Sequence, residues 1–326
     1  ANVYIGIPFC PTICAYCSFS SFPAGRYRDK MDAYLDALEK EMTQCKEWLA
    51  GKQMVSVYVG GGTPTSLSEE QFERLMAMTE KYLPMEQSKE FTVEAGRPDS
   101  ITEGKLRSMK THGVTRISIN PQSMKEHTLE LLGRKHTVEE IREKFMLART
   151  LGFDNINMDL IAGLPEETLE DFKETLREVE ALKPDSITVH TLVIKRASRL
   201  RKEQLEQGGE MREEDACIEP MQKEAEQFCW VHGYEPYYMY RQKNKAHTTR
   251  NTNQENVAYA KPGKECLYNI FIMEELQSIL ALGSGGSSKI VFPEENRMER
   301  VENVKSVDDY IGRIDEMIRR KKESWR

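Results

Sequence analysis

The sequence predicts an α/β fold: a partial (β/α)6 TIM-like barrel with a mixed, mostly helical C-terminal extension. Two observations favour it. Short apolar segments alternate six times with longer amphipathic ones before residue 195, which is typical of parallel strands joined by helices. The length of 326 residues also fits one barrel-sized domain with an appendage. We therefore expect a barrel at residues 1–195 and a C-terminal, substrate-covering domain at residues 196–326.

Six short segments are predicted to be the strands of the barrel: Val3–Pro8, Met54–Val59, Glu90–Glu94, Val114–Ile119, Asn155–Leu160 and Ser186–Thr191. Helical spacing of apolar residues marks the connections. It runs from Asp29 to Leu49, resumes behind a Ser68 cap with an acidic first turn, and recurs from Thr168 to Leu182. This alternation implies a parallel sheet with right-handed crossovers.

The basic run that starts at Lys195 breaks the alternation and marks a boundary or an active-site crossover. Beyond it the pattern predicts a helix, an aromatic strand, a polar loop, a second helix, a turn and a terminal helix. Their ranges are Arg212–Val231, Tyr234–Tyr240, Arg241–Asn256, Leu267–Gln277, Gly283–Ser288 and Val307–Arg320.

Composition excludes several classes of function. The net charge is 46 − 53 = −7, which argues against nucleic acid as the main partner because phosphate binding needs a surplus of Lys and Arg. No apolar run approaches the roughly 18 residues of a membrane span, and the start lacks the basic region of an export signal. We expect a cytoplasmic protein. The chain opens without Met inside a predicted strand, so we also expect an N-terminal region to be missing from this sequence.

Three of the seven cysteines, Cys10, Cys14 and Cys17, lie within eight residues directly after the first predicted strand. In a barrel that position is the C-terminal face, where the βα loops build the active site. Three thiolates can each bind one iron of a [4Fe–4S] cluster and leave the fourth iron open. The alternatives are a zinc site completed by Cys45 or His190, and free thiols that only pack.

A run of glycines follows the second predicted strand, in Gly60-Gly61-Gly62-Thr63-Pro64-Thr65. Glycine lets the backbone approach a ligand closely, although a tight turn alone would also explain it. Both motifs fall at the same end of neighbouring strands. Together they therefore indicate a cofactor site.

The two motifs resemble those of radical S-adenosylmethionine (SAM) enzymes. The segments Tyr4–Cys10, Arg116–Ser123 and Asp159–Pro165 are similar to the oxygen-independent coproporphyrinogen III oxidase family and its haem-chaperone relatives. Lys261–Ile270 and Leu280–Gly283 look like the HemZ-type coproporphyrinogen dehydrogenases within it. The resemblance covers nearly the whole chain. It implies a [4Fe–4S] cluster on the CxxxCxxC cysteines and SAM chelated to the open iron.

Two positions depart from the family pattern. Phe19 stands where the oxidase proper has a fourth Cys, as in the dehydrogenase-like and chaperone branches, and Asn120-Pro121-Gln122 replaces the usual Gly-Val-Gln.

The resemblance also implies residues that contact SAM. Tyr4, Tyr16, Gly61, Gly62 and Thr63 match family positions near SAM, and the positions that bind its carboxylate, ribose or adenine are matched by Glu94, Gln122, Arg134, Asp159 and Ile161. The residues themselves agree in part. Glu94, Gln122 and Asp159 fall at or beyond the ends of predicted strands, where polar side chains face ligands. The alternative is that the strand-end acids only cap the helices that follow them and that Arg134 is a solvated surface charge.

The family's reaction is the anaerobic oxidative decarboxylation of coproporphyrinogen III propionates to vinyl groups, with radical chemistry on SAM, so no catalytic side chain is assigned. A tetracarboxylate substrate needs cations, and the candidates are Arg26, Arg28, Lys195, Arg196 and Arg199. The resemblance also implies a reducing partner such as flavodoxin or ferredoxin. The alternative is a haem-binding or haem-transfer chaperone, for which the candidate axial ligands are His190, His232 and His247.

Overall fold

The computed structural model describes residues 1–17, 21–192, 218–241 and 255–325. The strands are β1 (Asn2–Ile7), β2 (Phe9–Cys10), β3 (Phe22–Pro23), β4 (Ser56–Gly61), β5 (Glu90–Gly96), β6 (Arg116–Ile119), β7 (Ile156–Ala162), β8 (Ser186–Thr191), β9 (Glu235–Arg241), β10 (Glu255–Ala260), β11 (Ile279–Leu282), β12 (Ser287–Phe292) and β13 (Arg297–Glu302). The α-helices are α1 (Ala24–Tyr27), α2 (Met31–Met42), α3 (Cys45–Trp48), α4 (Glu69–Tyr82), α5 (Glu103–Thr111), α6 (Glu126–Leu131), α7 (Val138–Thr150), α8 (Leu169–Leu182), α9 (Ile218–Val231), α10 (Leu267–Glu274), α11 (Val307–Gly312) and α12 (Ile314–Ser324). None of the helices in these ranges is long and apolar enough to cross a membrane.

One sheet organises the molecule. Over the described ranges its strand order is β13-β12-β11-β1-β4-β5-β6-β7-β8-β10-β9, and every pairing from β11 to β8 is parallel. The six predicted strands lie side by side in chain order, which confirms the repeated βα unit. The order ends at β13 and β9 without a closing pair among the described strands, so the barrel is partial, as predicted.

The two faces of the central strands differ in polarity. Val3 and Ile5 of β1 and Val57 and Val59 of β4 are fully buried in the hydrophobic core, together with residues of the surrounding helices. The alternate positions of the same strands hold no branched apolar side chain: they are Asn2, Tyr4 and Gly6 in β1 and Ser56, Tyr58 and Gly60 in β4. Barrel interiors are ordinarily filled by bulky branched residues. A polar interior therefore favours a lumen that holds a ligand over one that only packs.

Capping residues fix several helices where the sequence predicts them. Ser68 accepts a hydrogen bond from the Gln71 backbone and completes a capping box at α4, and Thr168 forms the same motif with Asp171 at α8. The long helix predicted from Asp29 to Leu49 is instead divided into α2 and α3.

The C-terminal part is mixed, as predicted, but contributes more strands than the pattern indicated. β9 and β10 extend the sheet beyond β8, whereas β11, β12 and β13 extend it on the other side of β1. The loop predicted to run to Asn256 therefore ends earlier, because β10 begins at Glu255. Residues 193–217 and 242–254 lie outside the described residues. The division at residue 195 into two domains stays a prediction.

Two further C-terminal predictions need adjustment. α10 ends at Glu274 and not at Gln277, because Glu275 takes a left-handed conformation with φ 51°. The predicted terminal helix is two helices, α11 and α12, which meet at Arg313.

A buried ion pair fastens α12 to the barrel. Lys321 and Glu41 of α2 form a salt bridge in which neither side chain is exposed. Lys321 also donates to Asn303 Oδ1 at 2.9 Å, and Glu41 accepts from the Tyr310 hydroxyl at 2.6 Å and the Gly283 amide at 2.9 Å. These contacts satisfy both charges and hold the turn after β11 next to the end of β1.

Candidate cofactor site

The cysteine loop and the glycine turn meet through backbone contacts at the carboxyl ends of β1 and β4. The Gly62 amide donates to the Ile7 carbonyl at 2.8 Å, and the Thr63 amide donates to the Phe9 carbonyl at 2.7 Å. A Cβ atom at Gly62 would lie 2.6 Å from the Phe9 carbonyl oxygen and 3.0 Å from Cys10 Sγ. Only glycine leaves room for this approach.

The neighbouring residues of the turn also face the predicted site. Thr63 Oγ1 lies 3.5 Å from Cys10 Sγ. Gly61 has φ +114°, and a Cβ atom there would lie 3.3 Å from the Tyr4 hydroxyl. The structure thus brings Tyr4, Gly61, Gly62 and Thr63 together beside Cys10, which is where the resemblance predicts contacts to SAM.

Two buried arginines approach the second cysteine. Nη1 of Arg97 and Nη1 of Arg134 each lie 3.9 Å from Cys14 Sγ, and these residues are only 4% and 5% exposed. Arg134 also donates to the Asn120 carbonyl at 2.5 Å and to the Tyr16 hydroxyl at 3.3 Å. Arg134 is therefore a buried cation at the site and not the solvated surface charge of the alternative interpretation.

The cysteine loop suits an iron–sulfur cluster better than a single ion. Burial raises the pKa of the Cys10 thiol to about 11, so binding a metal there must displace a proton. In the described part of the chain, no three Cys, His, Asp or Glu side chains converge to hold one metal ion, as zinc requires. A [4Fe–4S] cube instead takes each cysteine on a different iron. Three spaced thiols with buried cations beside them fit that group.

The residues named for the zinc alternative lie elsewhere. Cys45 is fully buried in α3 within the helix-facing core. His190 is in β8, where its Nε2 lies 3.7 Å from Asp159 Oδ2. Neither completes a four-ligand site with the cysteine loop.

Two carboxylates line the lumen of the partial barrel. Glu94 of β5 accepts a hydrogen bond from the Tyr58 hydroxyl at 2.6 Å. Burial, together with the charge of Asp159, raises the pKa of Glu94 from its ordinary 4.5 to about 7, although the Tyr58 hydroxyl, the Gly61 backbone and Arg116 act in the opposite direction. Glu94 therefore changes charge near neutral pH.

Asp159 of β7 is held as an anion. It accepts from Asn157 Nδ2 at 2.7 Å. Although burial favours the neutral acid, contacts with His190, Asn157 and Thr188 lower its pKa below the ordinary value. Two carboxylates with pKa values displaced in opposite directions are typical of a functional site, which supports the prediction that this lumen binds a ligand.

Gln122 joins the site through its backbone. Its amide donates to the Asp159 carbonyl at 2.9 Å, and its carbonyl accepts from the Ile161 amide at 3.0 Å, as an isolated bridge beside β7. Its φ is +69°, which is uncommon for a residue other than glycine. Such strain is often found at ligand sites.

An apolar group lies on the same side as the cysteine loop. Ile161 packs with the buried Leu132 and Leu164, and Tyr16 packs against this group. It offers the kind of surface that an aromatic base could cover.

Three tyrosines form the aromatic floor of the lumen, defined here as Tyr4, Tyr58 and Tyr268. The Tyr58 and Tyr268 rings are stacked with centroids 4.6 Å apart, and Tyr4 lies 6.2 and 6.1 Å from the two. Tyr268 comes from α10, whose first backbone amides, of Leu267 and Tyr268, donate to the buried Glu90 carboxylate at 2.7 and 3.2 Å. Glu90 thus anchors the start of α10, the helix that carries Tyr268.

The structure describes only some of the predicted substrate-binding cations and haem ligands. Arg26 in α1 and Arg28 after it are exposed. His232 Nε2 lies 2.9 Å from Glu180 Oε1, away from the cysteine loop. The other candidates, Lys195, Arg196, Arg199 and His247, lie outside the described residues.

Sequence reasoning missed Arg97, Tyr58 and Tyr268. Arg97 directly follows the last residue of β5, so the strand-end rule that selects Glu94 would also have selected it. Tyr58 and Tyr268 read as ordinary core aromatics.

Comparison with known proteins identifies the family of this chain. Residues 4–179 match the model of the radical SAM superfamily, which is more than half of the chain. This chain belongs to the radical SAM superfamily. It is 43% identical over 96% of its length to the oxygen-independent coproporphyrinogen-III oxidase-like protein HemZ of Bacillus subtilis, and 32% identical over 97% to the haem chaperone HemW of the same organism. The chain spans 62% of the length of HemZ and 76% of that of HemW.

A solved structure agrees on the fold. Coproporphyrinogen III oxidase HemN of Escherichia coli superimposes with a TM-score of 0.73 at 24% identity, over 97% of this chain and 69% of that one. Radical SAM proteins use a [4Fe–4S] cluster and SAM, which confirms the predicted cofactors for the family of this chain. The roles of individual residues in holding them stay predictions.

Proposed function

We propose that this protein oxidatively decarboxylates propionate side chains of coproporphyrinogen III to vinyl groups, in haem or porphyrin biosynthesis. The observation that carries the proposal is the meeting of the cysteine loop, the glycine turn and two partly buried lumen carboxylates at one end of the parallel strands. The similarity to HemZ supports the choice of substrate.

The cysteines Cys10, Cys14 and Cys17 would hold the cluster. When bound there, the cluster would supply the electron for reductive cleavage of SAM. The loop that carries these thiols is held by the backbone hydrogen bonds to Gly62 and Thr63. A rigid loop keeps the metal centre in a fixed place relative to the lumen.

Four side chains would orient SAM. Arg134 presents a buried guanidinium suited to its carboxylate. Asp159 and Glu94 present acceptors suited to ribose hydroxyls, while Ile161 lies in the apolar group available to adenine. The aromatic floor below them would keep water out of the lumen, and exclusion of water protects a reactive radical from side reactions.

The overall change balances without an outside oxidant. One propionate and one SAM give one vinyl group, one carbon dioxide, methionine and 5′-deoxyadenosine. Cleavage of SAM takes up one electron and loss of carbon dioxide releases one, so SAM is the net oxidant. Arg26 and Arg28, exposed near the cysteine loop in sequence, are the proposed clamps for the remaining carboxylates, together with Lys195, Arg196 and Arg199. A flavodoxin or ferredoxin is the proposed electron donor, and the cytoplasm the proposed location.

The test is anaerobic incubation of reconstituted protein with a reductant, SAM and coproporphyrinogen III. We expect carbon dioxide and vinyl porphyrins in proportion to methionine. The double variant Arg26→Gln and Arg28→Gln should raise KM for the porphyrinogen while uncoupled SAM cleavage stays normal. SAM cleavage in wild-type protein without any vinyl product would contradict the proposal.

The similarity to HemW over 97% of the chain supports a second candidate, a haem-transfer chaperone that keeps the cluster but does not decarboxylate. Haem titration of the same preparation separates the two. Tight stoichiometric haem binding without porphyrinogen turnover would support the chaperone, and turnover without haem binding would support the enzyme.

A further inference from the structure

Arg97 is a buried cation beside the cysteine loop to which no motif assigns a role. We propose that Arg97 is a positioning residue of the iron–sulfur centre, which pins the loop between Cys10 and Cys14 and favours the reduced state of the cluster. The proposal rests on the part of the proposed function that assigns the cysteines to a cluster, and it does not depend on the substrate.

One edge of the guanidinium faces the loop. Nη1 of Arg97 donates to Thr12 Oγ1 at 2.6 Å and to the Thr12 carbonyl at 3.1 Å, and it lies 3.9 Å from Cys14 Sγ. Thr12 Oγ1 in turn donates to the Gly133 carbonyl at 3.0 Å, just before Arg134. Arg97 therefore fixes the middle of the loop to two other parts of the site.

The opposite edge of the same guanidinium is held by Asp99. Nε donates to Oδ1 at 2.9 Å and Nη2 donates to Oδ2 at 2.6 Å, the two-point geometry that orients arginine well. His136, whose side chain is fully buried, lies 3.6 Å from the same carboxylate. Because Asp99 occupies the Nε and Nη2 edge, the Nη1 group is directed toward Thr12, with Cys14 Sγ next to it.

A buried positive charge at this place has a defined electrostatic effect. Reduction adds an electron to the cluster, so a nearby cation stabilises the reduced state, and hydrogen bonds to the ligand sulfurs act in the same direction. Arg134 also approaches Cys14, but it is expected to pair with the carboxylate of SAM. The partners of Arg97 given above belong to the chain itself, so its charge acts whether or not SAM is bound.

The experiment is a redox titration of the reconstituted cluster, followed by EPR in the absence of SAM, with iron and sulfide measured per chain. The variants are Arg97→Gln, Arg97→Lys and Asp99→Asn. The control is Arg107→Gln on α5, an exposed arginine paired with Glu103. At a fixed potential, Arg97→Gln should lower the ratio of reduced to oxidised cluster about tenfold, a shift of about 59 mV to more negative potential for a one-electron couple.

The other variants separate charge from packing. Arg97→Lys keeps the charge and should restore much of the wild-type potential. Asp99→Asn removes the counter-charge and should shift the potential in the opposite direction, to less negative values. The control should match wild type.

Arg97→Gln protein with a full cluster and an unchanged potential would overturn the proposal. If Arg97→Gln protein does not retain a cluster, the sign of the Asp99→Asn shift decides: a less negative potential supports the proposal, and an unchanged or more negative one overturns it. Wild-type protein that takes up no iron and sulfide would instead overturn the assignment of the cysteines.

Discussion

Glu94 gives the most specific prediction, because its pKa can be tested in the cofactor-free protein. Desolvation of the carboxyl group, with a smaller contribution from the charge of Asp159, raises the pKa of Glu94 to about 7, although the hydrogen bond from Tyr58 acts in the opposite direction. In the unfolded chain it titrates near 4.5, so its contribution to stability is complete below that pH and is lost as pH rises through 7. Glu94→Gln removes this titration.

The size of the effect follows from the displaced pKa. A group moved from 4.5 to about 7 costs the folded state ~3 kcal/mol once it is fully ionised. Between pH 5 and pH 9 the free energy of unfolding of Glu94→Gln, relative to wild type, should therefore increase by about 2 to 3 kcal/mol. Any effect of the amide itself on packing is the same at both pH values and cancels.

The assay is urea unfolding of iron-free, reduced protein at pH 5 and pH 9. Glu86→Gln is the control, because Glu86 is exposed on the surface. Its unfolding free energy should keep a constant offset from wild type at both pH values. Parallel pH profiles for Glu94→Gln and wild type would refute the burial argument.

Three further predictions concern the site and its support. Asp159→Ala should weaken SAM binding by at least about tenfold without changing iron content, because one charged hydrogen bond contributes about 1.5 to 3 kcal/mol. Equilibrium dialysis measures the affinity, and an unchanged value would contradict the role of Asp159 as a ligand for ribose. Gly62→Ala should prevent cluster assembly, because its Cβ would lie 2.6 Å from the Phe9 carbonyl oxygen. The control Gly25→Ala should assemble a cluster normally, because no atom lies within 4 Å of the new Cβ. Equal iron content in the two variants would contradict this prediction. Lys321→Met should lower the free energy of unfolding by about 3 to 5 kcal/mol, because it leaves the buried Glu41 without its cation. Urea unfolding measures this loss, and a loss below ~1 kcal/mol would contradict a stabilising role of the pair.

The barrel could be predicted from sequence because its signals are local. Each central strand is a short apolar run next to an amphipathic helix, and residues such as Ser68 and Thr168 mark helix starts by chemistry that acts over three residues. The position of Glu94 and Asp159 followed from the same strands, since parallel strands bring their carboxyl ends together.

Apart from β9, which the aromatic segment Tyr234–Tyr240 predicted, the C-terminal strands carried no comparable signal. β11 spans only Ile279–Leu282, and its parallel partner β1 lies at the other end of the chain. β13 is an edge strand with exposed charges at most positions, which hides its strand pattern. Pairings between distant segments of this kind depend on tertiary packing and not on local periodicity.

Strand-end positions predicted Glu94, Gln122 and Asp159, and the same rule reaches Arg97, but nothing local indicated that the Arg97 guanidinium is buried. Arg97 sits between Gly96 and Pro98, a sequence typical of a surface turn. Its burial comes from Asp99 on one side and Thr12 on the other, and the contact with Thr12 joins segments 85 residues apart. No spacing rule could have indicated that contact.

The central claim is that three thiols hold an iron–sulfur cube with one corner free for SAM. The most direct test is anaerobic EPR of the reconstituted, reduced protein before and after addition of SAM, with Cys14→Ala as the comparison. We expect about four iron atoms and four sulfides per wild-type chain, an EPR signal that changes when SAM binds, and neither in the variant. A wild-type signal that SAM leaves unchanged, or the absence of a cluster, would contradict the account.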